Sequence, residues 1–348
     1  MRIDHIVYVL FAVALLACRR DVEEPANRLA SWDIPTIPLR IDSCFSPQRV
    51  PRGFLVLPPT VGKEIHRIAF DPLDDDALYL TLTERDAVGG VKLDSELYRV
   101  DLANNTSTFI VRLEDVGYVD LPLNGNAELI YSDSIGKTNI YSIPLQTEIR
   151  ENANQDKPLQ WAWASDTTYW ELSQFPLPSG RADVFWTLHT FDGMVLDTLP
   201  YGWGTASAPR NGKTLFRMRT TQVNSLFMYD QTTKTAVDSM PSPEDFGLRL
   251  RLERPLWMDD KRAILSNEKM IVMADFASQS YQVIKEVPLD ECRNLIIRGV
   301  RVVPDRPDEI LYVLDQFFYD EAGEYLKRHD LVHLDLSSGA ETVLLIDL

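Results

Sequence analysis

The most regular feature of the chain is an alternation of apolar and polar residues that returns along most of its length. Over residues 97–102 the alternation predicts a β-strand, the polar residues 103–106 predict a turn, and residues 108–113 predict a second strand. The pattern recurs five more times, in copies that begin at Ile140, Phe185, Leu226, Ile271 and Leu331. The alternation therefore predicts a protein built from repeated short strands.

The spacing of the copies indicates the architecture. Their fifth positions are 43, 45, 41, 45 and 60 residues apart, at Asp101, Pro144, His189, Asp230, Asp275 and Asp335. A period of about 40 to 45 residues made of short strands is typical of a propeller blade. A turn rich in Asp, Asn, Gly or Pro precedes the second strand of each repeat. We therefore predict an all-β fold, a six-bladed β-propeller of four-stranded antiparallel blades over residues 61–348. Seven or five blades are the alternatives, because the N-terminal segment has room for part of a blade.

The first repeat resembles a known family. A Phe-Asp-Pro turn at residues 70–72 is followed by a Leu-Tyr-Leu strand at residues 78–80 and then by the motif at residues 97–102. This order resembles the TolB-like six-bladed propellers of bacterial envelope proteins, over residues 61–348. The resemblance implies the fold and a place in the cell envelope. It implies no particular activity, because propellers carry unrelated functions on one scaffold.

The N-terminus reads as an export signal. An apolar run at residues 6–17 is too short to span about 30 Å of hydrocarbon but has the length of a signal-peptide core. Residues 15–18, Leu-Leu-Ala-Cys, resemble a bacterial lipobox. The resemblance implies a lipoprotein signal peptide over residues 1–17, acylation such as palmitate on Cys18, and an exported protein anchored in a bacterial membrane. We expect the outer membrane, and either its periplasmic or its surface face agrees with the sequence. The alternative is an ordinary secreted protein.

Residues 18–60 are rich in proline, which disfavours helices and central strands. We predict a lipid-anchored tether and an extended N-terminal segment here, in which residues 53–57 add a strand to the last blade and latch the ring. Apart from Cys18, the sequence has two cysteines, Cys44 and Cys292. This is an even number, and an exported protein reaches a compartment that permits disulfides. They are a possible disulfide, with two separate buried thiols as the alternative.

The net charge limits the partners. With 52 acidic and 35 basic residues the chain carries a formal charge of −17, which repels nucleic acid and anionic lipid headgroups. We therefore predict no nucleic-acid partner, membrane association only through the lipid anchor, and a soluble monomeric propeller.

Propellers often bind ligands at the mouth of the central channel, and we expect the loops that lead into the first strands to form it. Tryptophan offers an apolar face and one N–H donor, and is suited to sugar rings or peptide side chains. A second candidate surface is the long insertion at residues 316–330. From these two regions we predict seven ligand-binding candidates: Trp163, Trp203, Trp257, Arg298, Arg301, Phe318 and Tyr319.

Catalytic and metal-binding motifs are not found in the sequence. The histidines are dispersed without zinc-ligand spacing, and no G-x-S-x-G motif occurs. We therefore predict no cofactor, no metal site and a non-enzymatic envelope lipoprotein whose propeller binds a protein partner or an envelope glycan. The alternative is a propeller enzyme, of the glycoside hydrolase, lyase or lactonase type, that acts at the central channel. Its candidate carboxylates are Asp120, Asp166, Glu171, Glu253 and Asp259.

Overall fold

The computed structural model describes a chain whose regular structure is almost entirely β. The described residues are 27–28, 32, 34–39, 63–85, 91–113, 116–118, 121, 123–133, 138–151, 160–176, 182–199, 204–219, 224–241, 243, 254–288, 293–319 and 325–346. They contain six antiparallel sheets, which we number as blades 1 to 6 in chain order. Two short strands precede the blades: β1 (Asn27–Arg28) and β2 (Pro35–Pro38).

Blades 1 to 3 are meanders of four consecutive strands. Blade 1 consists of β3 (Lys63–Asp71), β4 (Asp74–Arg85), β5 (Val91–Asp101) and β6 (Thr106–Leu113). Blade 2 consists of β7 (Val116–Tyr118), β8 (Glu128–Asp133), β9 (Thr138–Ser142) and β10 (Thr147–Glu151). Blade 3 consists of β11 (Gln160–Trp163), β12 (Thr168–Pro176), β13 (Ala182–Thr190) and β14 (Val195–Leu199).

Blades 4 to 6 repeat the same order. Blade 4 consists of β15 (Gly204–Ala206), β16 (Lys213–Arg219), β17 (Asn224–Asp230) and β18 (Thr235–Pro241). Blade 5 consists of β19 (Leu256–Trp257), β20 (Arg262–Ser266), β21 (Met270–Asp275) and β22 (Ser280–Glu286). Blade 6 consists of β23 (Arg293–Val303), β24 (Arg306–Tyr319), β25 (Tyr325–Asp335) and β26 (Glu341–Leu344). The predicted six blades of four strands are confirmed.

The turn between the third and fourth strands explains the repeated aspartate. In blades 1, 4, 5 and 6 its carboxylate accepts a backbone N–H from within the turn, at 2.8–2.9 Å. Hydrogen bonds from turn residues lower the pKa of each carboxyl, to about 2 for Asp335. In blade 2 Ser142 Oγ accepts the corresponding bond from Leu145 N, and in blade 3 Thr190 Oγ1 accepts from Met194 N. The predicted alignment of Pro144 and His189 with these aspartates is therefore wrong, because a hydroxyl replaces the carboxylate.

Alternation along the strands places successive side chains against opposite neighbouring blades. In β11, for example, Trp161 and Trp163 pack against Ile130 and Ile140 of blade 2, whereas Ala162 packs in the cluster shared with blade 4. Six apolar clusters arise in this way, one between each pair of adjacent blades. The core of the protein is therefore a ring of inter-blade contacts.

The ring closes where blade 6 meets blade 1, and the N-terminal segment covers this seam. Strand β2 pairs with β26, the outer strand of blade 6, through Thr36–Leu344 and Ile37–Val343. Trp32 and Ile34 are buried in the apolar cluster that blades 1 and 6 share. Part of the segment predicted as a tether thus belongs to the last sheet. Residues 53–57, the predicted latch, lie outside the described residues.

Trp32 contacts both blades at the seam. Its Nε1 donates to Asp76 Oδ1 of blade 1 at 3.0 Å, and its ring lies 6.3 Å from that of Phe70. From blade 6, the Arg306 guanidinium carbon lies 4.3 Å from the ring centroid, and His333 meets the ring edge-on. Apolar burial, a hydrogen bond and a cation–π contact therefore converge on one side chain.

We predict that Trp32→Ala destabilises the protein by about 3–5 kcal/mol, because it opens a cavity between two blades and removes the bond to Asp76. Trp32→Phe is the matched control: it keeps an aromatic ring and is expected to cost clearly less. Urea unfolding followed by far-UV circular dichroism measures both. Equal stability of the Ala variant and the wild type would contradict the assignment of Trp32 to the seam.

Candidate functional site

A cavity of about 310 Å³ lies where the first strands of the six blades end. Every blade contributes to its wall, so we identify the cavity as one mouth of the central channel. In blade order, the lining residues are Ala69, Phe70, Leu121, Leu123, Trp163, Ser207, Ala208, Pro209, Arg210, Arg254, Pro255, Leu256, Trp257, Arg301, Val302 and Pro304.

The position of this mouth differs from the sequence-based expectation. We expected the loops that lead into the first strands to form the site. In the structure most lining residues lie where those strands end and the turns to the second strands begin, as Trp163 at the end of β11 shows. Only Arg254 and Pro255 lie ahead of their first strand, β19.

The two halves of the mouth differ in chemistry. Blades 1 to 3 contribute only apolar and aromatic side chains, with Phe70, Leu121 and Leu123 among them. Blades 4 to 6 each contribute one arginine: Arg210, Arg254 and Arg301. No described lining residue carries a carboxylate, although the whole chain has a formal charge of −17. The described part of the mouth therefore combines three arginines with apolar side chains.

Trp257 connects the arginine-bearing blades. It ends the two-residue strand β19 and is half-buried, and its Nε1 donates to Ala208 O of blade 4 at 3.2 Å. Its ring packs beside the apolar cluster between blades 4 and 5. The indole is thereby held at the rim, with its polar atom bonded and part of its face accessible.

Trp163 contributes less surface to the mouth. Its side chain is only 1% exposed and meets Tyr169 and Phe191 edge-on between blades 2 and 3. Most of this residue therefore packs in the inter-blade core, and a small part of it lines the cavity.

A β-bulge sets the direction of Arg301. On β23, Arg298 lies opposite Val313 and Arg301 lies opposite Leu311, so three steps on β23 match two on β24. Gly299 occupies the left-handed region at φ 58°, where residues with a side chain are strained. Without this extra residue Arg301 would point to the opposite face of blade 6. With it, Arg298 and Arg301 share the face toward blade 1.

Arg298 does not line the mouth but forms a buried ion cluster at the seam. Its Nε lies 2.6 Å from Asp315 Oδ2, and its Nη2 donates to Ile65 O of blade 1 at 3.0 Å. His329 Nδ1 bonds the same carboxylate, and its Nε2 lies 3.4 Å from Glu64 Oε2 of blade 1. The cluster therefore joins blade 6 to blade 1 through charge as well as apolar packing.

The electrostatics of this cluster keep Asp315 ionised. Burial raises the pKa of Asp315, but the hydrogen bond from His329 and the positive charge of Arg298 outweigh burial, so the pKa lies below its ordinary value. Next to His329 in the sequence, Asp330 behaves differently. Burial raises the pKa of Asp330, although Arg328 Nε donates to its carboxylate at 2.6 Å. These groups are buried partners of one another and are not exposed to the mouth.

The other predicted candidates do not meet at the mouth. Phe318 and Tyr319 lie near the end of β24, which pairs with β25 as far as Tyr319 and Tyr325. Because β24 begins beside the mouth and runs away from it, these residues lie at the other end of blade 6. Cys18, Cys44, Trp203 and Cys292 lie outside the described residues.

The carboxylates of the enzyme alternative are bonded separately. Asp166 Oδ1 accepts from Gly125 N at 2.9 Å, Glu171 Oε1 accepts from Ser173 Oγ at 2.7 Å, and Asp259 Oδ2 pairs with Arg262 Nε at 2.6 Å. None of these three lines the mouth, and Asp120 and Glu253 lie outside the described residues. Within the described part of the chain, no group of three or more potential metal ligands occurs, and no helix has the length and apolarity needed to cross a membrane.

We predict that Arg298→Gln destabilises the protein by about 3–5 kcal/mol, because it leaves the buried carboxylate of Asp315 without its guanidinium. Arg301→Gln, three residues along the same strand, is expected to cost much less, since Arg301 Nη1 donates to the backbone carbonyl of Val300. Denaturant unfolding of the two variants measures the difference. Equal losses would show that the two arginines do not have the separate roles assigned to them.

Comparison with known proteins gives similarity in fold alone. No family model and no curated protein matches the chain. Among solved structures, it is similar to the RRP9 WD40 repeats, with a TM-score of 0.49 and 8% identity over 83% of this chain and 98% of that one. It is also similar to the C-terminal WD40 domain of Sif2, with a TM-score of 0.45 and 10% identity over 85% of this chain and 97% of that one. It is also similar to a chain of a mitotic checkpoint complex, with a TM-score of 0.47 and 12% identity over 92% of this chain and 99% of that one. The assignment of six blades is therefore based on the six sheets of the structure described above.

Proposed function

We propose that this chain is a non-enzymatic lipoprotein of the bacterial envelope, tethered through Cys18, whose propeller binds a partner at the channel mouth. The observation that carries the binding role is the mouth itself, where six blades deliver apolar side chains, Trp257 and three arginines to one cavity. Ligand sites of this kind are concave and largely apolar, with a few convergent polar groups. The anchor rests on the lipobox at residues 15–18, and the envelope location on that motif and the TolB-like resemblance.

The chemistry of the mouth favours binding over hydrolysis of glycosides. Glycosidases of the usual kind require two carboxyl groups, about 5–10 Å apart, at the reacting bond. The described lining residues supply guanidinium groups and apolar surface. We also favour a protein partner over an envelope glycan, because half of the wall is apolar and Trp257 and the arginines are residue types enriched at protein interfaces.

Crosslinking in intact envelopes, followed by affinity capture and mass spectrometry, tests this function. The wild type is expected to recover one stoichiometric partner from the membrane fraction, and Trp257→Ala to lose it. Phe109→Ala is the matched control, since Phe109 is an exposed aromatic residue on the outer strand of blade 1, and it is expected to keep the partner.

The anchor is tested separately by Cys18→Ser, which is expected to release the protein from the membrane fraction. Circular dichroism of each purified variant verifies that it is folded. Recovery of the same partner by the wild type and by folded Trp257→Ala would contradict binding at the mouth. Retention of Cys18→Ser in the membrane would contradict the lipid anchor.

A further inference from the structure

We infer that the mouth accepts an oxyanion, a carboxylate or a phosphate, attached to an apolar body. This inference rests on the proposed function and specifies the ligand class of the same site. It follows from the division of the mouth into an arginine half and an apolar half.

The arginine half selects the charge of the ligand. Arg210, Arg254 and Arg301 come from three consecutive blades, and no carboxylate accompanies them among the described lining residues. Guanidinium groups stay protonated at physiological pH and present paired N–H donors that match the two oxygens of a carboxylate or phosphate. On a chain with a net charge of −17, the mouth is a place where an anion is attracted rather than repelled.

The three arginines also have contacts within the protein. Arg210 Nε lies 3.2 Å from Asp260 Oδ1, but both side chains are largely exposed, and exposed pairs contribute little free energy. Arg301 Nη1 donates to Val300 O at 2.7 Å, and this bond helps to orient the guanidinium beside the cavity. Because a guanidinium group has five N–H donors, an arginine can keep such contacts and still donate to an oxyanion.

The apolar half selects the rest of the ligand. Phe70, Leu121 and Leu123 line the mouth on the side of blades 1 and 2, and Trp163 of blade 3 completes the apolar lining. A cavity of about 310 Å³ lies at the small end of the range of about 300–1,000 Å³ for ligand sites. The space suits a small aromatic or aliphatic acid, or the last residue of a polypeptide with its free carboxylate. These two sources share one chemistry, and the experiment separates them.

Isothermal titration calorimetry on the full-length lipidated protein, in nanodiscs of neutral lipid, tests the ligand class, with empty nanodiscs as the blank. Benzoate and phenyl phosphate are the probes. Benzyl alcohol keeps the apolar body without the anion, and acetate keeps the anion without the body. Both are expected to bind at least tenfold more weakly than benzoate. Equal binding of benzyl alcohol and benzoate would overturn the inference.

Variants of the arginines identify the site. Arg254→Gln and Arg301→Gln are each expected to weaken benzoate binding at least tenfold, with Arg→Lys at the same positions giving intermediate loss because it keeps the charge but not the paired donors. Arg112→Gln is the matched control, since Arg112 is exposed on the outer strand of blade 1, and it is expected to change binding by less than twofold. Unchanged binding in folded Arg254→Gln and Arg301→Gln would overturn the inference.

Peptides distinguish the source of the anion. Acetyl-Gly-Phe with a free C-terminal carboxylate is compared with its C-terminal amide and with benzoate. Tighter binding of the free acid than of benzoate supports a polypeptide end as the ligand, and equal or weaker binding supports a small free acid. Both results support an oxyanion on an apolar body, whereas equal binding of the acid and the amide contradicts it.

The experiments distinguish a failure of this inference from a failure of the proposed function. A partner captured in a Trp257-dependent manner but independent of Arg254 and Arg301 would keep the proposed function and overturn this inference. Binding of benzoate with no captured protein would keep this inference and overturn the protein partner.

Discussion

The closure of the ring between blades 6 and 1 is the contact on which the rest of the structure depends. The other five inter-blade clusters join blades that follow one another in sequence, whereas this one joins residues near the two ends of the propeller. It combines an apolar cluster, the Trp32 contacts and the ion cluster of Arg298, Asp315, His329 and Glu64. Since a long-range contact must offset the entropy of closing a long loop, a seam reinforced in several ways is physically expected.

The same seam places the two halves of the mouth side by side. Strand β3 carries Ile65 and Ile68 into the seam, and the apolar lining residues Ala69 and Phe70 lie near its end. On the other side, β23 carries Arg298 into the seam, and Arg301 into the mouth beyond the bulge. Phe70 also contacts Trp32. The spacing between the cationic and apolar walls is therefore fixed by the contacts that close the ring.

Much of the fold follows from the sequence because its signals are local. Alternation and turn residues predict the strands and the six blades, since each blade is a meander of neighbouring strands. Two motif copies were misaligned because Ser142 and Thr190 supply from a hydroxyl the bond that aspartate supplies elsewhere. The pairing of β2 with the outer strand of blade 6 is not predicted from the sequence, because pairing with a distant edge leaves little local trace.

The site was less predictable for geometric reasons. Trp163, Trp257 and Arg301 were singled out from the sequence and do line the mouth, but Arg298, only three residues from Arg301, points into the seam. The bulge at Gly299 decides which face of the blade Arg301 takes, and it depends on pairing with β24. Arg210 also lines the mouth but is not among the predicted candidates, because no local signal shows that a turn of blade 4 meets those of blades 5 and 6.

The central claim is that the contacts that close the ring also hold a mouth with a cationic half and an apolar half. A crystal structure of the protein with 4-bromobenzoate, with diffraction recorded at the bromine absorption edge, tests this claim most directly. The account predicts a bromine peak beside Leu121 and Leu123, the carboxylate directed at Arg254 and Arg301, and Trp32 seated between blades 1 and 6. An empty mouth with bromine bound elsewhere, or a ligand with its carboxylate toward the apolar wall, would contradict it.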